Sequence, residues 1–263
     1  MALSLNKRVI RERALALVSR PNPAPLFVFG NQKSGTTAIA GLLAAATGQR
    51  LVSDFAGAKE PYIGKLLREE TAISDYVRRN AWAFSLPVVK DPSLTFVAPQ
   101  LMEYFGQARA AFVVRDPWAN IRSILVRLEL RGDTDRLVRT GTRRINRTWQ
   151  CILAGSDLGL AERHFVSVLA RRWTLAAQLS ATPGCEVVRY EDFNAAKTAT
   201  IESLAGRLGL AAIHDITSIA DKPFQPSGDD GSDLAQFFGP ANLKRISGIC
   251  GPLAAKLGYA APG

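Results

Sequence analysis

The chain has 263 residues, of which 47% are hydrophobic and 21% are charged, proportions that are ordinary for a folded protein and argue against disorder throughout. The formal net charge of +10 indicates either an anionic partner or simply a solvated basic surface. Three separated cysteines without metal spacing fit a reducing cytoplasm rather than a disulfide-built secreted domain. The N-terminus carries too many charges for a signal peptide and no stretch is as long as a membrane span, so we expect a cytoplasmic protein without a transmembrane segment.

Helical and strand-like segments alternate along the chain. A first helix is expected within residues 1–20, before three closely spaced prolines. Short apolar runs predict strands at 26–29, 50–52, 86–89, 110–114 and 186–188. Helical patterns lie at 36–46, 61–80, 96–106, 117–130, 143–154, 163–181, 196–209 and 240–257, and the composition of 225–233 predicts a loop. The alternation predicts one domain over 1–263 of the α/β class, with a P-loop-like three-layer fold in which helices flank a central parallel sheet.

A glycine-rich turn joins the first predicted strand to the next helix, with the sequence Gly30-Asn31-Gln32-Lys33-Ser34-Gly35-Thr36-Thr37. Such a turn aims backbone N–H groups and the positive end of a helix dipole at one point, so it predicts a phosphate or sulfate site. A Walker A loop would have lysine directly after the second glycine, where this chain has Thr36. A P-loop kinase or NTPase, with Asp91 as a magnesium ligand, is therefore the alternative interpretation.

A second candidate phosphate site follows the strand at 110–114. Arg115 at the strand end would point into the crevice where α/β proteins bind ligands, and it could grip a phosphate with two hydrogen bonds. Ser123 lies nearly two turns along the next helix. An ion pair between Arg115 and Asp116 or another carboxylate is the structural alternative.

Both segments resemble the sulfotransferases that use 3′-phosphoadenosine 5′-phosphosulfate (PAPS). Lys33-Ser34-Gly35-Thr36-Thr37 resembles the family's 5′-phosphosulfate loop, and Arg115 and Ser123 keep the spacing of its 3′-phosphate site. Two such sites at successive places in one sheet imply a ligand with phosphates at both ends of a nucleoside, as in PAPS and unlike ATP. The resemblance covers about residues 26–193. A weaker resemblance to bacterial members of the family lies near the C-terminus. It implies that PAPS, or its product PAP, is held by Gln32, Lys33, Ser34, Gly35, Thr36, Thr37, Arg115, Ser123 and Tyr190. Tyr190 could instead only fix the turn after its strand.

Two further stretches resemble glycan sulfotransferases. In Lys59-Glu60-Pro61 the resemblance makes Glu60 the general base, and a surface ion pair is the other interpretation. In Lys90-Asp91-Pro92-Ser93 it makes Lys90, together with Lys33, a cation near the transferring sulfuryl group, although Asp91 replaces the usual hydroxyl residue. Small-molecule sulfotransferases use a histidine base, but His164 and His214 come late in the chain.

The expected activity is therefore metal-independent, in-line transfer of a sulfuryl group to an acceptor hydroxyl, on a carbohydrate or another small-molecule alcohol. Residues 222–235 would form a flexible loop or lid. A nucleic-acid binder is the third interpretation, but we expect no nucleic-acid partner because the chain has no recognition motif. The sequence carries no signal for an oligomeric state.

Overall fold

The structure is a computed structural model that describes residues 2–59, 61–142, 144–222, 224 and 233–262. The strands are β1 Leu26–Gly30, β2 Leu51–Ser53, β3 Val88–Lys90, β4 Arg109–Val114 and β5 Cys185–Arg189. The helices are α1 Ala2–Val18, α2 Thr36–Ala46, α3 Tyr62–Leu67, α4 Ile73–Arg79, α5 Ala81–Phe84, α6 Ala98–Phe105, α7 Pro117–Arg127, α8 Arg147–Ala154, α9 Phe165–Gln178, α10 Tyr190–Ala195, α11 Lys197–Arg207, α12 Thr217–Ala220 and α13 Leu234–Lys256. Short 3₁₀ helices cover Ala56–Ala58, Pro92–Val97 and Leu179–Ala181.

The strands form one parallel sheet in the order β2-β3-β1-β4-β5. Strand β1 lies in the middle, with β3 on one side and β4 on the other. Because parallel strands end at the same edge, the residues that follow β1, β3 and β4 are neighbours in space. This edge brings together the two predicted phosphate sites.

Apolar residues of β1 pack on both faces of the sheet, which explains its uninterrupted hydrophobic run. Phe27 and Phe29 point into the layer built with α3, α4 and α6, whereas Val28 points into the layer with α2 and α11. A third cluster joins α7, α8, α9 and α13 around Trp118 and Trp173. Helices therefore cover both faces, and the predicted α/β fold class is confirmed.

Several predicted boundaries are wrong. The single helix expected at 61–80 divides into α3 and α4, because Glu69 adopts a left-handed conformation (φ 57°) that ends the first helix. The helix expected at 96–106 starts as a 3₁₀ helix, which Asp91 caps. Residue 143 of the helix expected at 143–154 lies outside the described residues, and α8 begins after its cap, Asn146. The last helix begins at Leu234 rather than 240, with a kink at Gly239 (φ 64°).

All five predicted strands are present. Of the predicted loop 225–233, residues 225–232 lie outside the described part of the chain. No helix among the described residues is long and apolar enough to cross a lipid bilayer.

Candidate active site

The loop between β1 and α2 depends on residues with positive φ: Gly30 (146°), Lys33 (65°) and Gly35 (90°). A Cβ atom on Gly30 would lie 2.6 Å from the Val113 carbonyl oxygen of β4, and one on Gly35 would lie 2.3 Å from the Tyr190 ring. Both glycines are therefore required by close packing as well as by conformation. A turn of this kind directs successive N–H groups to one side, where the first turn of α2 adds its own free N–H groups. The loop is shaped to bind an anion.

Asn120, which is fully buried on α7, ties this loop to the next helix. Its Nδ2 donates to the Gln32 carbonyl oxygen (2.9 Å) and the Ser34 hydroxyl (3.1 Å), and its Oδ1 accepts from Asn31 (2.9 Å). Asn120 was not among the residues predicted from the sequence. It precedes Ser123 by three residues and thus shares its helix face, a signal that could have identified it.

Arg115 follows β4 and reaches across to the phosphate loop. Its Nη1 donates to the Lys33 carbonyl oxygen (2.7 Å), and its guanidinium carbon lies 4.4 Å from the centre of the Tyr190 ring. Burial lowers the pKa of Arg115, an effect that Tyr190 and Glu191 oppose. Burial also lowers the pKa of the Lys33 ammonium, and the positive charge of Arg115 lowers it further. The two predicted cations thus repel each other in a half-buried place, which a bound anion would relieve.

Buried polar atoms without partners mark the same place. The hydroxyl of Ser123 is buried, and neither it nor Nε of Arg115 has a hydrogen-bond partner among the described residues. A buried polar group left unpaired costs about 1–3 kcal/mol. Both atoms belong to residues expected to hold the 3′-phosphate, so the residues present fit a phosphorylated ligand.

Lys90, at the end of β3, lies against the first turn of α2. Its Nζ donates to the Thr37 hydroxyl (2.8 Å) and to the Asp54 carboxylate (3.0 Å), and its side chain is buried. Asp54 follows β2 in a left-handed conformation (φ 57°). The structure therefore brings Lys90 to the loop that contains Lys33. Sequence reasoning missed Asp54, which belongs to no recognisable motif.

Glu60, the predicted base, lies outside the described residues, but its neighbour Lys59 does not. Nζ of Lys59 lies 3.3 Å from the Asp91 carboxylate, which also accepts from the Ser93 backbone N–H (2.9 Å). Burial raises the pKa of Asp91, Asp54 raises it further, and the charge of Lys59 lowers it. Asp91 thus serves as a helix cap within an ion pair, which disfavours the alternative that makes it a magnesium ligand.

The side chain of Gln32 is turned into the protein. Its Oε1 accepts from Nε of Arg172 (3.1 Å), and the fully buried Arg172 also pairs with Asp157 and lies over the ring of Phe96. The Gln32 side chain therefore holds the loop from its side that faces the protein interior. Sequence reasoning missed Arg172, which lies 140 residues away in the chain.

The strand-to-helix turn after β5 has two roles. The Tyr190 ring packs on the phosphate loop, whereas the Glu191 carboxylate accepts from the Asp116 backbone N–H (2.9 Å) and the Tyr259 hydroxyl (2.9 Å). Asp116 itself caps α7 by accepting from the Ala119 N–H (2.7 Å). Among the described residues, no ion pair joins Arg115 to Asp116 or to another carboxylate, and its Nη1 donates to the Lys33 carbonyl oxygen, which disfavours the structural alternative for that arginine.

The two histidines serve elsewhere. Nδ1 of His164 accepts from the Val166 N–H (3.3 Å) and caps α9. His214 lies against Gly48, beyond the end of α2 that is remote from the phosphate loop. Neither position suits a base beside Lys33.

The predicted lid at 222–235 is mostly outside the described residues, which here comprise Lys222, Phe224 and 233–235. Phe224 packs against Gly41 of α2, where a Cβ atom would lie 2.6 Å from its ring. Asp233 caps α13 by accepting from two backbone N–H groups. Both ends of the segment are thereby attached to helices, while its role as a lid stays a prediction.

The fold and this site define an α/β protein of P-loop-like architecture, with a loop shaped to bind an anion at the carboxyl edge of its sheet. Comparison with models of protein families gives no match, and comparison with curated proteins gives none. Solved structures do match. Sulfotransferase STF9 from Mycobacterium avium is 14% identical over 97% of this chain and 83% of its own, with a TM-score of 0.51. The chain therefore has the sulfotransferase fold.

Other similar structures carry the same description. Sulfotransferase STF1 from Mycobacterium tuberculosis is 17% identical over 93% of this chain and 81% of its own, with a TM-score of 0.48. Mouse sulfotransferase SULT7A1, solved in complex with PAP, is 13% identical over 95% of this chain and 90% of its own, with a TM-score of 0.44.

Proposed function

We propose that this chain is a PAPS-dependent sulfotransferase that transfers a sulfuryl group to a hydroxyl of a carbohydrate or another small-molecule alcohol. The observation that carries the proposal is the approach of Arg115 to Lys33, from the ends of neighbouring strands. One adenosine carrying phosphates at both ends can satisfy both cations. The three cysteines of the chain form no disulfide among the described residues, which suits the cytoplasmic location expected from the sequence.

Two groups of residues would hold the donor. On the 5′ side, the loop from Lys33 to Thr37 offers backbone N–H groups, hydroxyls and one ammonium group. On the 3′ side, Arg115 and Ser123 offer the buried donors that have no other partner among the described residues. Tyr190, between the loop and Arg115, offers an aromatic surface for the adenine.

Sulfuryl transfer then needs positive charge near the leaving group and one group that accepts the proton of the acceptor hydroxyl. PAPS supplies the sulfuryl group and a phosphate leaving group that is a stable anion. Lys33 and Lys90 would stabilise the negative charge that develops there, because both are fixed in a partly dry place. Glu60 would take the proton from the acceptor hydroxyl. Asp54 would keep Lys90 oriented in the free protein.

Calorimetric titration with PAP and with ATP tests the proposal. We expect PAP to bind in the presence of a chelator, and ATP to bind more weakly whether or not magnesium is present. Tighter binding of ATP, dependent on magnesium, would instead favour the kinase or NTPase alternative.

Two variants test whether Arg115, which lies against Lys33, contributes to binding PAP. Arg115→Ala removes a charged hydrogen-bonding group worth about 1.5–3 kcal/mol, so PAP affinity should fall about 10- to 150-fold. Arg131→Ala is the matched control, since Arg131 is half exposed and pairs only locally with Asp133. Equal effects of the two substitutions would count against the proposed site.

A further inference from the structure

A large cavity lies beside the candidate active site, between α1 on one side and α3 and α4 on the other. Its volume is about 1230 Å³. Small-ligand sites usually measure roughly 300–1000 Å³, so the cavity is large enough for an extended molecule. None of the residues assigned above to donor binding lines it.

One end of the cavity adjoins the reacting groups. Ala56 and Gly57 line it, and they belong to the short 3₁₀ helix between Asp54 and Lys59. Asp54 contacts Lys90, and Lys59 contacts Asp91. The predicted base therefore stands in the sequence between Lys59 and the next cavity-lining residue, Tyr62.

Tyr76 is a buried residue of the cavity wall. It lines the cavity, is only 3% exposed, and its hydroxyl has no hydrogen-bond partner among the described residues. Burial raises the pKa of Tyr76, and the charge of Asp91 raises it further. The hydroxyl oxygen is itself inaccessible to solvent, so Tyr76 adds apolar surface to the cavity and no hydrogen-bonding group that a ligand could reach.

The exposed part of the cavity lining is both basic and apolar. Leu17 lines it and is 88% exposed. The exposed cations of the lining are Arg13, Lys65, Arg78 and Arg79, of which Arg78 pairs with Asp75 (2.8 Å). Glu12, the one acidic residue among the described residues that line the cavity, is engaged by Arg8 and by the Ala56 N–H (2.8 Å). The aromatic lining comes from Tyr62, Tyr76 and Tyr104.

We propose that this cavity binds the acceptor, and that the acceptor is an amphipathic alcohol with an apolar body and an anionic group. The anionic group lies among the exposed cations, and the hydroxyl lies at the end of the cavity lined by Ala56 and Gly57, beside the 3₁₀ helix that precedes Lys59. The inference rests on the proposed sulfotransferase function and narrows its acceptor class. A neutral sugar would leave the cations without a counter-ion.

Calorimetry on the PAP-loaded protein tests the inference with 8-hydroxyoctanoate, 1,8-octanediol and N,N′-diacetylchitobiose as probes. We expect the hydroxy acid to bind about five- to tenfold more tightly than the diol, and the disaccharide not to compete. Lys65→Glu should abolish the preference for the acid. Lys244→Glu, an exposed charge reversal on α13 outside the cavity, should keep it.

A second variant tests the location. Ala16→Trp puts an indole into the cavity from α1 and should weaken both hydroxy probes at least tenfold while leaving PAP affinity unchanged. Unchanged probe binding in Ala16→Trp, or tighter binding of the disaccharide, would overturn the inference and leave the proposed function standing. Failure of PAP itself to bind the unmodified protein would overturn the proposed function, and this inference with it.

Discussion

Asn120→Ala should separate the positioning of the phosphate loop from the general stability of the fold. The substitution removes three hydrogen bonds, to the Gln32 carbonyl, the Ser34 hydroxyl and the Asn31 amide. Each such bond contributes about 0.5–1.5 kcal/mol net. Because the site is fully buried and water cannot replace the lost partner, we expect a loss of about 2–4 kcal/mol in the free energy of unfolding.

The loop should lose order as well. Its backbone N–H groups bind an anion well only while they converge, and Asn120 connects three of its residues to α7. We expect PAP affinity to fall at least tenfold, measured by calorimetry at a temperature where the variant remains folded. Urea denaturation followed by circular dichroism gives the change in stability.

Asn242→Ala is the control for this experiment. Asn242 is also buried, and its Nδ2 donates to the carbonyl oxygens of Gly132 (2.8 Å) and Thr134 (3.0 Å), away from the phosphate loop. It should lose about 1–3 kcal/mol of stability and keep PAP affinity. If both variants lose affinity equally, or if Asn120→Ala loses none, the positioning role of Asn120 is refuted.

Two further predictions concern the base and the loop. Glu60→Gln should keep PAP affinity and lower turnover by about 10²–10⁴-fold, whereas the exposed Glu69→Gln should leave both unchanged; full activity of Glu60→Gln would eliminate this base. Gly35→Ala should lower the melting temperature and weaken PAP, because φ is 90° and a tyrosine ring occupies the place of the new methyl group. Gly206→Ala, at an exposed helical position with open space around it, should instead stabilise by up to about 1 kcal/mol, and a similar loss in both variants would contradict this explanation.

The parts of the site that were predictable from the sequence are local. A buried strand, a glycine-rich turn and a helix follow each other within about a dozen residues, so the local pattern places Lys33 in the turn after β1. A second apolar run places Arg115 directly after β4. The parallel sheet then brings those ends together. Their roles in binding remain predictions, but their proximity is observed.

The supporting residues were not predictable in this way. Arg172 meets Gln32 across 140 positions and Asn120 meets Asn31 across 89, and neither contact has a sequence pattern of its own. Asp54 reaches Lys90 only because β2 and β3 pair in a particular register. The prediction of one helix at 61–80 was wrong for a different reason, because the helical sequence pattern continues across Glu69, whose left-handed conformation ends the first helix.

The position of β1 between β3 and β4 makes the site sensitive to strand length. Lys90 closes β3 and Arg115 follows β4, so each cation reaches the same crevice from one side of the central strand. Side chains alternate between faces along a strand, and inserting one residue near either carboxyl end would turn its cation to the opposite face. Insertions before the amino ends of these strands carry no such penalty. Natural length variation should therefore accumulate at one edge of this sheet and be almost absent from the other.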